Sequence, residues 1–102
     1  MNTNLAKVKK DLLEFYETHE WTQGVYVRDK QGNEATPTEE AAYSFCLLGA
    51  LQVVTNYKDF SPHVSFDLAL HRLTTLAGEG LAPWNDYPSR RKEDVLTLIR
   101  QM

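Results

Sequence analysis

Cys46 is the chain's single cysteine, and with His63 or His71 and Asn85 or Asp86 it supplies the residue types of a nucleophile, a general base and an orienting group. A small cysteine-dependent hydrolase or transferase would run through the Cys46 thiolate, which needs a polar or electropositive setting that lowers the thiol's pKa. Cys46 instead sits inside an apolar run, Ala41 to Val54, where a thiol is ordinarily an inert small hydrophobe. A packing role is the expectation, with catalysis the alternative. His19, His63 and His71 form no His-x-x-x-His or Cys-x-x-Cys pair, so no metal site is expected. His71 should edge the exposed side of a helix, and His63 should lie in a connecting loop.

Trp84-Asn85-Asp86 is the second candidate. Asn and Asp can bond back to nearby backbone, in which case Trp84 would plug a groove of small residues formed by Ala42, Cys46 and Gly49. Alternatively, Asn85 and Asp86 would line a shallow polar pocket beside Trp21, Gln23 and Trp84 and bind a small anion or other ligand. A third feature is Arg90-Arg91-Lys92, three cations expected in the first turn of a last helix, where the helix dipole favours anions. Such a placement marks either an anion or acidic-partner site, or a solvated charge run offset by Asp86, Glu93 and Asp94. No phosphate loop, dinucleotide fingerprint, nucleophile elbow or His-Glu-x-x-His helix occurs, and no cofactor is expected.

These residues must be positioned by a few elements. Leu5, Val8, Leu12, Phe15 and Tyr16 recur at helical steps, predicting a first helix that stops near Glu20, before the Trp21-Thr22-Gln23-Gly24 break. Val25 to Arg28, a turn at Asp29 to Gly32 and a return over Asn33 to Ala35 read as a β-hairpin. Thr36, Pro37 and Glu39 have the form of a capping box, which predicts a second helix from Thr36 through Val54, apolar nearly all round and therefore central. Within it Gly49 costs about 1 kcal/mol relative to alanine, which implies a close backbone approach. Ser61-Pro62 marks a turn, and Ser65 should cap a third helix that buries Phe66, Leu70, Leu73 and Ala77 and ends at Gly78-Glu79-Gly80. Leu81 to Pro88 should be irregular but ordered, because its prolines lack an amide donor and restrict their neighbours. Ser89 should cap a last helix to about Gln101, with Val95, Leu98, Ile99 and Met102 inward.

The whole chain, 1–102, thus reads as one α+β domain, mainly helical, with about four helices around a central second helix and a small hairpin between the first two. Its composition of 42% hydrophobic and 25% charged residues excludes a disordered or disulfide-dense chain. A net charge of -3 gives no general attraction to nucleic acid or anionic lipid, so a nucleic acid or membrane partner is not expected. The unpaired thiol and the lack of a signal peptide or membrane span point to the cytoplasm.

Trp21-Thr22-Gln23-Gly24, Phe45-Cys46-Leu47-Leu48-Gly49-Ala50-Leu51 and Trp84-Asn85-Asp86-Tyr87-Pro88, followed by Asp94-Val95-Leu96, together resemble a family of short uncharacterised bacterial and phage domains. The resemblance spans roughly residues 12 to 100 and rests most on the Cys-x-x-Gly-Ala-Leu helix and the Trp-Asn-Asp loop. It implies a domain and no activity. The functional expectation is a non-enzymatic protein-interaction or regulatory module, such as a phage or mobile-element modulator of a host protein. Its working surface would join Trp21, Gln23, Trp84, Asn85, Asp86, Arg90 and Arg91 to a protein partner, since aromatic and arginine residues in irregular segments are favoured at interfaces.

Overall fold

The computed structural model describes residues 3–37, 39–56 and 64–102. Helix α1 (Thr3–Thr18) turns Val8, Leu12 and Tyr16 inward, as the four-residue spacing demands. Its end is two residues earlier than Glu20, because the Thr18 hydroxyl and His19 Nδ1 both engage the Phe15 carbonyl. The chain then runs directly into strand β1 (Glu20–Trp21).

Strand β2 (Val27–Asp29) follows the Gly24 turn, and strand β3 (Ala42–Phe45) lies between the other two. β1 and β3 are parallel, pairing Glu20 with Ser44 and Trp21 with Phe45. β2 and β3 are antiparallel, pairing Val27 with Phe45. The expected hairpin return survives as a single bridge between Arg28 and Glu34, with the Asp29 amide bonding the Asn33 carbonyl and the Ala35 amide the Val27 carbonyl. Its turn is nonetheless built: Asp29 Oδ1 accepts from the amides of Gln31 and Asn33.

The largest correction concerns the second helix. The Thr36 box closes only a local turn, in which Glu39 Oε1 accepts from the Thr36 amide at 2.9 Å. Ala42 to Phe45 then extend as the middle strand, and helix α2 is Leu47–Thr55. The strand is only four residues long and lies in a mostly apolar run, where hydrophobic pattern alone does not separate strand from helix. Aromatic Tyr43 and Phe45 tip that segment toward the pleated surface. The proposed small-residue stripe is thereby dissolved, since Ala42 belongs to β3 and Cys46 precedes α2.

Helix α3 (Val64–Ala77) buries Phe66, Ala69 and Leu73; Ser61, Pro62 and His63 lie outside the described residues. Leu81–Asn85, expected to be irregular, forms a one-turn helix, α4. Helix α5 (Lys92–Arg100) starts three residues after Ser89, with Arg91 at its N-cap and Asp94 Oδ2 accepting from the Arg91 amide at 2.9 Å. Val95, Leu98 and Ile99 face inward. α2 is central as anticipated, packing on α1, α3, α4 and β3. The architecture is mainly helical α+β, with five helices and a three-stranded mixed sheet among the described residues.

Candidate functional site

Asn85 ends α4 and is 1% exposed. Its Oδ1 accepts from Trp21 Nε1 at 2.7 Å and from the Leu47 amide at 3.0 Å. Its Nδ2 donates to the Thr22 carbonyl at 3.1 Å and to Asp86 Oδ1 at 3.0 Å. An amide group has two acceptor and two donor positions, and all four are used. Two N–H donors on one side and two acceptors on the other also fix which atom is oxygen. Leu47 opens α2, so Asn85 supplies one of the partners that a helix N-terminus lacks internally.

The neighbouring contacts tie the same two segments. Gln23 Nε2 bridges the carbonyls of Asn85 and Tyr87, each at 2.9 Å. Gly24, at φ +88°, points its amide at Asp86 Oδ1, 2.9 Å away. Arg28 braces the turn from behind, donating to Thr22 Oγ1 and to the Gln23 and Gly32 carbonyls. The structure therefore brings Trp21, Gln23, Asn85 and Asp86 together, as a clasp and not as the open polar pocket anticipated. Asn85 has no hydrogen-bonding capacity left for a ligand.

Cys46 is the N-cap of α2 and lies at its start rather than two turns inside a helix. Its Sγ accepts from the Gly49 amide at 3.3 Å. A helix N-terminus ordinarily lowers a thiol's pKa, and the Gly49 and Leu48 amides act in that direction. Burial outweighs them and pushes the thiol up, helped by the Asp86 carboxylate. At 4% exposure with a disfavoured thiolate, Cys46 gains no support as a nucleophile. Gly49 does mark a close approach, but to a different partner: a Cβ there would stand 2.6 Å from the Tyr26 carbonyl oxygen. That cleft is filled by backbone, while Trp84 is buried on α4.

The three cations separate. Lys92 Nζ donates to the His19 carbonyl and lies over the Tyr16 ring, so it serves packing. Arg90 precedes α5; its Nε donates to the Trp84 carbonyl at 2.8 Å, and its guanidinium carbon sits 3.9 Å from the Trp84 ring centre and 5.5 Å from that of Tyr87. Arg91 is exposed. Neither arginine has an ion-pair partner among the described residues. Beside Arg90 lies an open depression of about 240 Å³, lined by Leu76, Trp84, Arg90, Asp94, Thr97 and Leu98 among others. The geometry can hold an oxyanion against the guanidinium.

Sequence reasoning missed Arg28 and took Tyr87 only as part of the Trp84 to Pro88 loop. Tyr87 is 56% exposed, yet its carbonyl accepts from Gln23 Nε2 and from the Arg90 amide. Their spacing carried no signal, because both act through contacts to chain that is not periodic with them. His71 is exposed on α3. Among the described residues no three His, Cys, Asp or Glu side chains gather as a metal site, and no helix is long and apolar enough to cross a membrane.

Fold and site together define a small, mainly helical α+β protein in which one buried asparagine at the end of α4 ties the Trp21 to Thr22 segment to the start of α2. The family of unknown function DUF6197 matches residues 3–102, and the chain belongs to that family. No curated protein and no solved structure matches it.

Proposed function

We propose that the protein is a non-enzymatic protein-interaction or regulatory module whose working face is Tyr87, Arg90 and Arg91. The observation that carries this reading is the pairing of an exposed aromatic ring with a rigid backbone. Tyr87 is more than half exposed, while Gln23 Nε2 and the Arg90 amide both bond its carbonyl oxygen and hold its main chain. Exposed tyrosine and arginine on a pre-organised support are the groups that contribute most at interfaces, because little side-chain or loop entropy remains to be lost on association. Trp21, Gln23, Asn85 and Asp86 contribute by holding that face in shape, through the Trp21 to Asn85, Asn85 to Asp86 and Gln23 to Tyr87 hydrogen bonds. Capture from a lysate of the source cells, comparing the parent with a Tyr87→Ala/Arg91→Ala double variant, tests the reading. Loss of a specific partner with an unchanged circular-dichroism spectrum is expected. Unchanged capture of every partner overturns it.

A further inference from the structure

We propose that the depression beside Arg90 receives a glutamate or aspartate side chain from an acidic segment of the partner protein. The inference rests on the interaction reading of the same face and names the partner's chemistry.

Arg90 is placed before any partner arrives. Its Nε is spent on the Trp84 carbonyl, its plane is held against Trp84 and Tyr87, and its backbone amide bonds the Tyr87 carbonyl. The two terminal guanidinium nitrogens have no partner among the described residues. An arginine fork fixed in this way suits a carboxylate, because the ordering entropy is already lost and both nitrogens can donate side by side.

The depression itself argues for a side chain over a free metabolite. At about 240 Å³ and open to solvent, it falls below the roughly 300–1,000 Å³ of sites that enclose a small molecule. Leu76 and Leu98 offer an apolar wall for the stem of a glutamate or a neighbouring apolar residue. Asp94, on the same wall, selects within the anions. One of its oxygens is engaged by the Arg91 amide, and its charge opposes a doubly charged phosphate more than a single carboxylate. Arg91, next in the chain and exposed, adds a second positive charge that attracts an acidic partner.

The test is a nuclear magnetic resonance titration of the full chain with the blocked tripeptide acetyl-Leu-Glu-Leu-amide, its Gln counterpart and inorganic phosphate. The Arg90 Nε–H and Trp84 indole signals report the depression. The Trp21 indole, bonded to Asn85, reports the integrity of the clasp. The Glu peptide should move the Arg90 and Trp84 signals and bind about tenfold more tightly than the Gln peptide, the usual advantage of a charge-assisted bond. Arg90→Lys should remove most of that preference while the Trp21 signal stays in place. Equal binding of Glu and Gln peptides, binding of phosphate as tight as that of the Glu peptide, or no shift up to about 10 mM peptide overturns the proposal. Any of these leaves the Tyr87 and Arg91 capture result standing, so the two readings fail separately.

Discussion

The helical core and the clasp are both buried, yet they are held by different physics. Around Leu12, Leu51, Leu73 and Ile99, contact is apolar on every side, and burial of each side chain stabilises by about 1.5–3 kcal/mol with little regard for direction. Around Asn85, stability depends on two donors and two acceptors meeting their partners at 2.7–3.1 Å. The core should therefore accept changes of shape that conserve volume, while the clasp should reject even a side chain of the right size that lacks the right atoms.

The sharpest way to break this contrast is a matched pair of substitutions. Asn85→Leu strands the Leu47 amide, the Thr22 carbonyl and the Trp21 indole, and should cost about 3 kcal/mol or more. Leu51→Met, which conserves volume in the apolar core, should cost less than about 1.5 kcal/mol. Urea denaturation measures both, and equal losses would erase the distinction. Gly49→Ala comes next. Alanine is the better helix former, yet its Cβ meets a backbone oxygen that cannot rotate away, so a loss of about 1–3 kcal/mol is expected in the same assay.

Tyr16→Phe should cost less, about 1 kcal/mol. It deletes the hydroxyl bond to the Phe45 carbonyl at 2.9 Å, but that oxygen also accepts from the Thr22 amide at 3.2 Å and is not orphaned. The smallest effect is confined to alkaline pH. Burial raises the Cys46 thiol above its ordinary value of 9.0 and the Tyr16 hydroxyl well above 10.0. The folded chain thus keeps protons that the unfolded chain releases. Their contribution is complete below pH 9.0 and is lost as pH rises through the folded values, so the melting temperature should fall from there upward. Cys46→Ala should flatten the first part of that fall. In the parent, iodoacetamide should label Cys46 slowly when native and rapidly in denaturant; rapid native labelling near neutral pH would restore the nucleophile.

Local pattern carried some of this protein and misled elsewhere. The spacing of Val8, Leu12 and Tyr16, and of Val95, Leu98 and Ile99, shows its helices because each buries one stripe against a core. Ala42 to Phe45 did not show itself as a strand, since four residues inside a mostly apolar run are too few to set a period of two apart from a helical one. The Thr36 box is real chemistry on a single turn, and nothing within the box says how far a helix continues. Trp21, Gln23, Asn85 and Asp86 were legible as neighbours around one polar spot, but not as hydrogen-bond partners that consume one another's groups.

Composition and periodicity by themselves determined a mainly helical α+β chain with α2 at its centre, because amphipathic spacing and burial are properties of neighbours in sequence. Tertiary structure alone decided the order of the sheet, the capping of α2 by a side chain 38 residues away, the place of Cys46 at the start of α2 and the open fork of Arg90. Those depend on which donor meets which acceptor after the chain has folded back, a choice set by the packing of the whole core.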